Sequence, residues 1–361
     1  MILNRKSIIQ FLFFLFLFLH ALPLLFNQQY ELIIQLNYSI ILLSLIISTF
    51  FNKKMSIISI VLILLIILSV SMSILGFSGT ISSLIMAASL PHFFFSAVHS
   101  KKDFLKICYK PIIFFAISLI FFSINLYSNV INFLSNPIYL GQYFGIASIN
   151  YVPIVISSSS ILVYLLINQK NNDYNLKNFN TLILLILIFL SIFFSFIFTT
   201  RVIFFCSFIL LYTYFERFKI ILFPVFTITL FYNIDIISIT FFELFGTFDL
   251  RILVTDYSRI DSILNLINSS LSNYFYNFDF RNQMSYSSII NLLFSMFPFT
   301  FIFLHHLFKT AITIFNSNSL SLFFIFICSF AVTLFQMDFF SVFVLFFFME
   351  YVNFSYNNYA D

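Results

Sequence analysis

Apolar residues run in long blocks along this chain, and polar residues gather in the connections between them. A helix needs about 20 apolar residues to cross the hydrocarbon core of a bilayer. With that ruler the pattern predicts twelve spans, at 7–26, 31–51, 56–75, 80–98, 108–126, 149–167, 180–198, 201–215, 219–242, 287–305, 319–335 and 338–352. The first block is too long for the apolar region of a secretory signal and ends without a small-x-small cleavage site, so it reads as a retained span. The predicted fold is an all-α polytopic integral membrane protein of about twelve transmembrane helices, organised as a single transmembrane domain over 1–361.

Composition agrees. Of 361 residues, 61% are hydrophobic and 8% charged, and mean hydropathy is +1.05. A soluble domain carries about 25% charged residues, because its surface must face water. Phenylalanine supplies 59 residues while Trp is absent. Phe, Ile, Asn and Lys are residues of AT-rich codons, so composition by itself does not argue for an aromatic binding surface. Cys108, Cys206 and Cys328 lie in or beside apolar blocks without metal-ligand spacing, so neither a disulfide nor a metal site is expected. No cofactor and no nucleic-acid partner are expected.

Charge gives the chain a direction. With the N-terminus cytoplasmic, thirteen of the seventeen cations fall in inside connections: Arg5, Lys6, Lys53, Lys54, Lys101, Lys102, Lys106, Lys110, Lys170, Lys177, Arg217, Lys219 and Lys309. That bias follows the positive-inside rule and sets both termini in the cytoplasm. The four outside cations, Arg201, Arg251, Arg259 and Arg281, are all arginine, whereas every lysine falls inside. Arginine offers a planar fork that binds phosphate or carboxylate in bidentate fashion. These arginines either pair with outside acids and order a loop, or form an outward-facing anion site.

Two outside connections are long, roughly 127–148 and 243–286. The first is uncharged and rich in Asn, Ser and Tyr. The second, between spans nine and ten, carries Glu243, Asp249, Asp256, Asp261 and Asp279 together with Arg251, Arg259 and Arg281. A connection of that length without structure of its own is uncommon and is usually functional where it is ordered. Ile260, Ile263, Leu264, Ile267 and Leu271 recur at helical spacing, so an amphipathic helix is expected near 258–272, with its apolar stripe on the membrane surface. Arg259 would sit in its first turn, where free backbone N–H groups favour an anion.

Arg201 follows Thr199 and Thr200 at the head of the short eighth span. Fifteen residues at about 1.5 Å each reach about 23 Å, less than the ~30 Å core. Either this outer turn is sunk in a water-filled recess beneath the large loop, or Arg201 snorkels to the headgroups. Asp235, inside the ninth span, pairs with Arg201 or helps form the site. His92 reads as a packed, hydrogen-bonded histidine, His99, His305 and His306 as interfacial at the inner face, and His20 as ambiguous.

A dozen spans, the Thr199–Thr200–Arg201 turn, and "YSRIDSIL" with Arg251 and Arg259 in one large outside loop resemble the O-antigen and capsule polymerases of the Wzy type. The topology is matched over the whole chain, the motifs only in these two pieces. The family often has glycines after its loop arginine helix, and "SSLSNYFYNFDF" has none. The resemblance implies a bacterial inner-membrane glycosyltransferase. Such an enzyme moves a glycan from undecaprenyl pyrophosphate onto the next lipid-linked repeat unit at the periplasmic face, for lipopolysaccharide or capsule biosynthesis. On that reading Arg201 and Arg259 hold pyrophosphate, Arg251 and Arg281 assist, Asp256, Asp249 and Glu243 are the candidate bases, and Asp235 and Thr200 support the site. The implied partners are the undecaprenyl-pyrophosphate-linked oligosaccharide, membrane lipid and a protein regulating chain length. The alternatives are an oligosaccharide flippase or other transporter, and an O-antigen ligase. The ligase is expected to use a loop histidine, and 243–286 contains none.

Overall fold

The computed structural model describes residues 5–25, 41–47, 56–74, 79–98, 100–133, 151–169, 174–197, 201–214, 289, 292, 300–317, 319–335 and 339–357. Among them every regular element is helical and no strand occurs. The longer helices among the described residues are α1 (Arg5–Leu25), α2 (Ile57–Ile74), α3 (Gly79–Ala97), α4 (Lys101–Phe133), α5 (Tyr151–Gln169), α6 (Tyr174–Ile197), α7 (Arg201–Tyr214), α8 (Thr300–Asn316), α9 (Leu320–Phe335) and α10 (Phe339–Asn357), and 41–47 are helical as well. Among the described residues four segments are long and apolar enough to cross a membrane: Asp103–Ser123, Tyr151–Asn168, Asn178–Ser195 and Phe339–Tyr356. Shorter apolar helices accompany them. The chain is a helical membrane-embedded protein.

Six of the predicted spans coincide with a described helix to within two residues at each end. Helix α6 starts six residues before the expected 180, and α10 ends five after the expected 352. The span at 31–51 is described only at 41–47, which is helical, and two others are corrected. The fifth, expected at 108–126, is a helix of 33 residues from Lys101 to Phe133. It therefore runs into what the sequence pattern assigned to the long outside connection. Its early start has a local cause: Ser100 Oγ accepts from the Asp103 N–H at 3.1 Å, and the Ser100 carbonyl accepts from the Phe104 N–H at 2.9 Å. A serine cap of this kind fixes a helix start ahead of the apolar block. The inside connection expected after residue 305 is also helical, because α8 continues to Asn316. It continues because Phe303, Thr310 and Ile314 are buried on one of its faces, and Thr310 meets Asn353 of α10. The span at 219–242 and the loop at 243–286 lie outside the described residues, as does all but Ile289, Leu292 and 300–305 of the span at 287–305.

Helix α5 is the hub. Its span is 83% buried, against 44% for that of α6, so α5 is enclosed by protein while α6 keeps one side outward. It packs against α4, α6, α7, α9 and α10. Four consecutive serines, Ser157 to Ser160, are all buried on it. In lipid the apolar solvent drives no hydrophobic association between helices, so small residues that let backbones approach do much of the work. A second seam is aromatic. The Phe347 ring of α10 meets Phe13 at 5.7 Å, Phe94 at 5.7 Å, Phe95 at 5.0 Å and Phe104 at 6.1 Å, tying α1, α3 and α4 together. Other phenylalanines, such as Phe121, Phe301 and Phe315, are exposed on the outer faces of their helices.

Candidate functional site

The predicted outer site is described at one residue. Arg201 is the first residue of α7, a helix of 14 residues. At about 1.5 Å per residue that is about 21 Å, shorter than a bilayer core. Asp235, Glu243, Asp249, Arg251, Asp256, Arg259, Arg281 and Thr200 lie outside the described residues, as does the helix expected at 258–272.

The bundle does fix which end Arg201 occupies. Thr181, near the start of α6, bonds Tyr214, the last residue of α7, at 2.6 Å. Tyr109 near the start of α4 donates to Asn180 Oδ1 at 3.1 Å. The start of α4 in turn holds Asp103, whose Oδ1 accepts from Lys6 Nζ of α1 at 2.5 Å. The last turn of α7 thus shares an end with the lysines, and its first turn is at the other. There Ile203 clusters with Ile154 of the first turn of α5. Nearby Tyr151 O–H donates to the His20 carbonyl at 3.0 Å and lies 3.3 Å from His20 Nδ1. His20 is buried between Phe16 and Phe340, at ring distances of 5.0 and 4.6 Å, and is a packed residue. Along its length α7 is held by Ser207 Oγ at 2.7 Å from Ser191 Oγ of α6. Cys206 and Cys328 of α9 each donate S–H to the other's carbonyl at 3.7 Å.

At the opposite, lysine-bearing end stands a second cluster of ionisable side chains. Glu350 of α10 accepts a hydrogen bond from His92 Nδ1 of α3 at 2.9 Å. His92 Nε2 lies 3.0 Å from Ser59 Oγ of α2, and Ser59 Oγ lies 2.9 Å from Ser56 Oγ. His306 Nε2 of α8 is 3.5 Å from the same Glu350 oxygen but makes no hydrogen bond. One turn along α10, Asn353 Nδ2 donates to Thr310 Oγ1 at 3.1 Å and to the Met349 carbonyl at 3.0 Å, while its Oδ1 is buried without a partner. A carboxylate between two imidazoles inside apolar helices is costly unless paired, and such groups are functional-site candidates by default. His92 is hydrogen-bonded, as its sequence context suggests. Glu350 is the residue that sequence reasoning left without a role. Its signal is the single acid within "FFSVFVLFFFMEYVNFSYN", three residues before Asn353.

Among the described residues no group of three or more His, Cys, Asp or Glu is arranged to hold a metal ion. No family model matches the chain, and no curated protein and no solved structure matches it either.

Proposed function

We propose that the chain polymerises lipid-linked oligosaccharide repeat units at the outer face of a bacterial cytoplasmic membrane, for O-antigen or capsule. The observation that supports this most is that Arg201 opens a short helix at the bundle end opposite the lysines. A helix start offers free N–H groups and the positive end of the backbone dipole, and a guanidinium adds a bidentate fork. Together they suit a pyrophosphate at a membrane surface. In the reaction, an acceptor hydroxyl attacks the anomeric carbon of the donor glycan. The bond from that carbon to pyrophosphate breaks, and undecaprenyl pyrophosphate leaves with the bonding electrons. A carboxylate, drawn from Asp256, Asp249 and Glu243, takes the hydroxyl proton. Arg201 and Arg259 stabilise the leaving charge, with Arg251 and Arg281 assisting.

The test is a glycan ladder from cells lacking the gene and carrying wild type or Arg201→Ala at equal membrane levels. The expected result is surface glycan of one repeat unit in the deletion, a ladder with wild type, and none with Arg201→Ala. Long chains persisting in the deletion would overturn the reading. A second reading, transport of the lipid-linked oligosaccharide, is favoured by the buried Glu350 between His92 and His306. It predicts instead that no repeat unit reaches the surface in the deletion.

A further inference from the structure

The cluster at the lysine-bearing end is arranged as a directed chain of hydrogen bonds. Glu350 as a carboxylate only accepts, so the proton in the 2.9 Å contact belongs to His92 Nδ1. A neutral His92 then has a bare Nε2, which accepts the Ser59 hydroxyl proton across 3.0 Å. Ser59 Oγ is left to accept from the Ser56 hydroxyl across 2.9 Å. Ser56 Oγ also accepts the Ser59 N–H at 3.1 Å, the capping bond that starts α2, so its place is fixed by the helix end. Ser56 is exposed and Ser59 is fully buried, so the chain runs from the surface into the bundle. It crosses α2, α3 and α10 through residues far apart in sequence.

We infer that Glu350, His92 and His306 form a proton-binding site that exchanges with water through Ser56 and Ser59. A proton arriving at Ser56 displaces the Ser56 hydroxyl proton to Ser59, which passes its own to His92 Nε2. His92 then releases its Nδ1 proton to Glu350 Oε1. The result is a neutral carboxylic acid and a neutral His92 in the other tautomer, with each serine again carrying one proton. The bonds then point the other way: Glu350 O–H donates to Nδ1, and Nε2–H donates to Ser59. His306 Nε2, 3.5 Å from the same oxygen and without a hydrogen bond, is the next acceptor.

The groups that bias this site are few. Helix α10 packs against α3, α5, α8 and α9, and its Phe347 ring also meets α1 and α4, whose Lys6 and Asp103 pair with each other. Helix α3 brings His92. Helix α8 brings His306, with His305 and Lys309 on its flanking turns, while α5 and α9 carry no Asp, Glu, Lys, Arg or His. Like any acid–base site, this one takes up its proton as pH falls. This is independent of the polymerase reading, whose residues belong to the other end of the bundle.

The experiment is infrared difference spectroscopy of the full-length protein in lipid vesicles, stepped from neutral to acid pH. The expected result is a protonated-carboxyl band that Glu350→Gln removes and Asp103→Asn leaves. Glutamine still accepts from His92, so this variant keeps the packing. Ser59→Ala should leave the final amplitude unchanged but slow its rise after a pH jump by about tenfold or more. A band unchanged in Glu350→Gln would overturn the site, and an unchanged rise in Ser59→Ala would overturn the path.

Discussion

His92 Nδ1 and Glu350 Oε1 lie 2.9 Å apart across a sequence separation of 258 residues, and they join the third helix to the last. Their side chains are 18% and 16% exposed, so this is a largely buried pair whose partners cannot fall back on water. Removing one partner of such a pair typically costs about 3–5 kcal/mol, while replacing both with apolar residues costs far less. Glu350→Leu and His92→Leu should each lower the unfolding midpoint in detergent sharply. The double variant should recover most of the loss. Additive losses in that cycle would mean that the two side chains do not act as a pair.

The aromatic seam should be equally uneven. Phe347 touches rings from three other helices, and truncating a buried Phe costs about 3–5 kcal/mol where the gap cannot close. Phe301 and Phe315 are 71% and 80% exposed on α8, and substitutions at such outer positions stay within about 0.5 kcal/mol. Thermal unfolding of Phe347→Ala beside Phe315→Ala in the same detergent checks the contrast. Equal losses would remove the case for Phe347 as a packing centre.

The seating of α7 can be tested chemically. Cys206 and Cys328 exchange S–H contacts at 3.7 Å, so the backbones of α7 and α9 are close at this level. Mild copper-catalysed oxidation of membranes should form an internal Cys206–Cys328 disulfide, detected by mass spectrometry of non-reduced peptides. Cys206→Ser should abolish it, and Cys108, buried on α4, should take no part. A cross-link from Cys108 instead would place α7 wrongly in the bundle and with it the turn at Arg201.

Much of the helix inventory was legible because a membrane span is written in one local property, the length of an apolar block. The starts at 57, 151, 201, 320 and 339 all fall within two residues of expectation. The boundaries misjudged by most, at α4 and α8, are those where a helix outruns its apolar block. There a serine cap at 100 and packing of Thr310 on α10 decide, and neither registers as hydropathy. The site was legible as residue types and not as partners. His92 carried the mark of a hydrogen-bonded histidine, but its partner lies 258 residues away and no periodicity connects them. Arg201 was marked by its place at the head of a short span, and that place, the first residue of α7, is where the structure has it.

The ends of the bundle make the last prediction. Lys6, Asp103, Lys106 and Lys110 stand at or near one end, where Tyr109 and Asn180 meet, and α7 reaches that end only at Tyr214. If the bundle crosses the membrane with its lysines in the cytoplasm, position 200 is reachable from outside and position 101 is not. In a background with Cys108, Cys206 and Cys328 replaced by alanine, Thr200→Cys should react with a membrane-impermeant maleimide on intact spheroplasts. Lys101→Cys should react only after the membrane is opened. The reverse pattern would invert the whole chain and put the Arg201 turn in the cytoplasm. No glycan polymerisation at the outer face could then depend on it. Labelling of both positions from one side would mean that the two ends of the bundle do not lie across a membrane from each other, and the short helix at Arg201 would lose its meaning as a sunken outer turn.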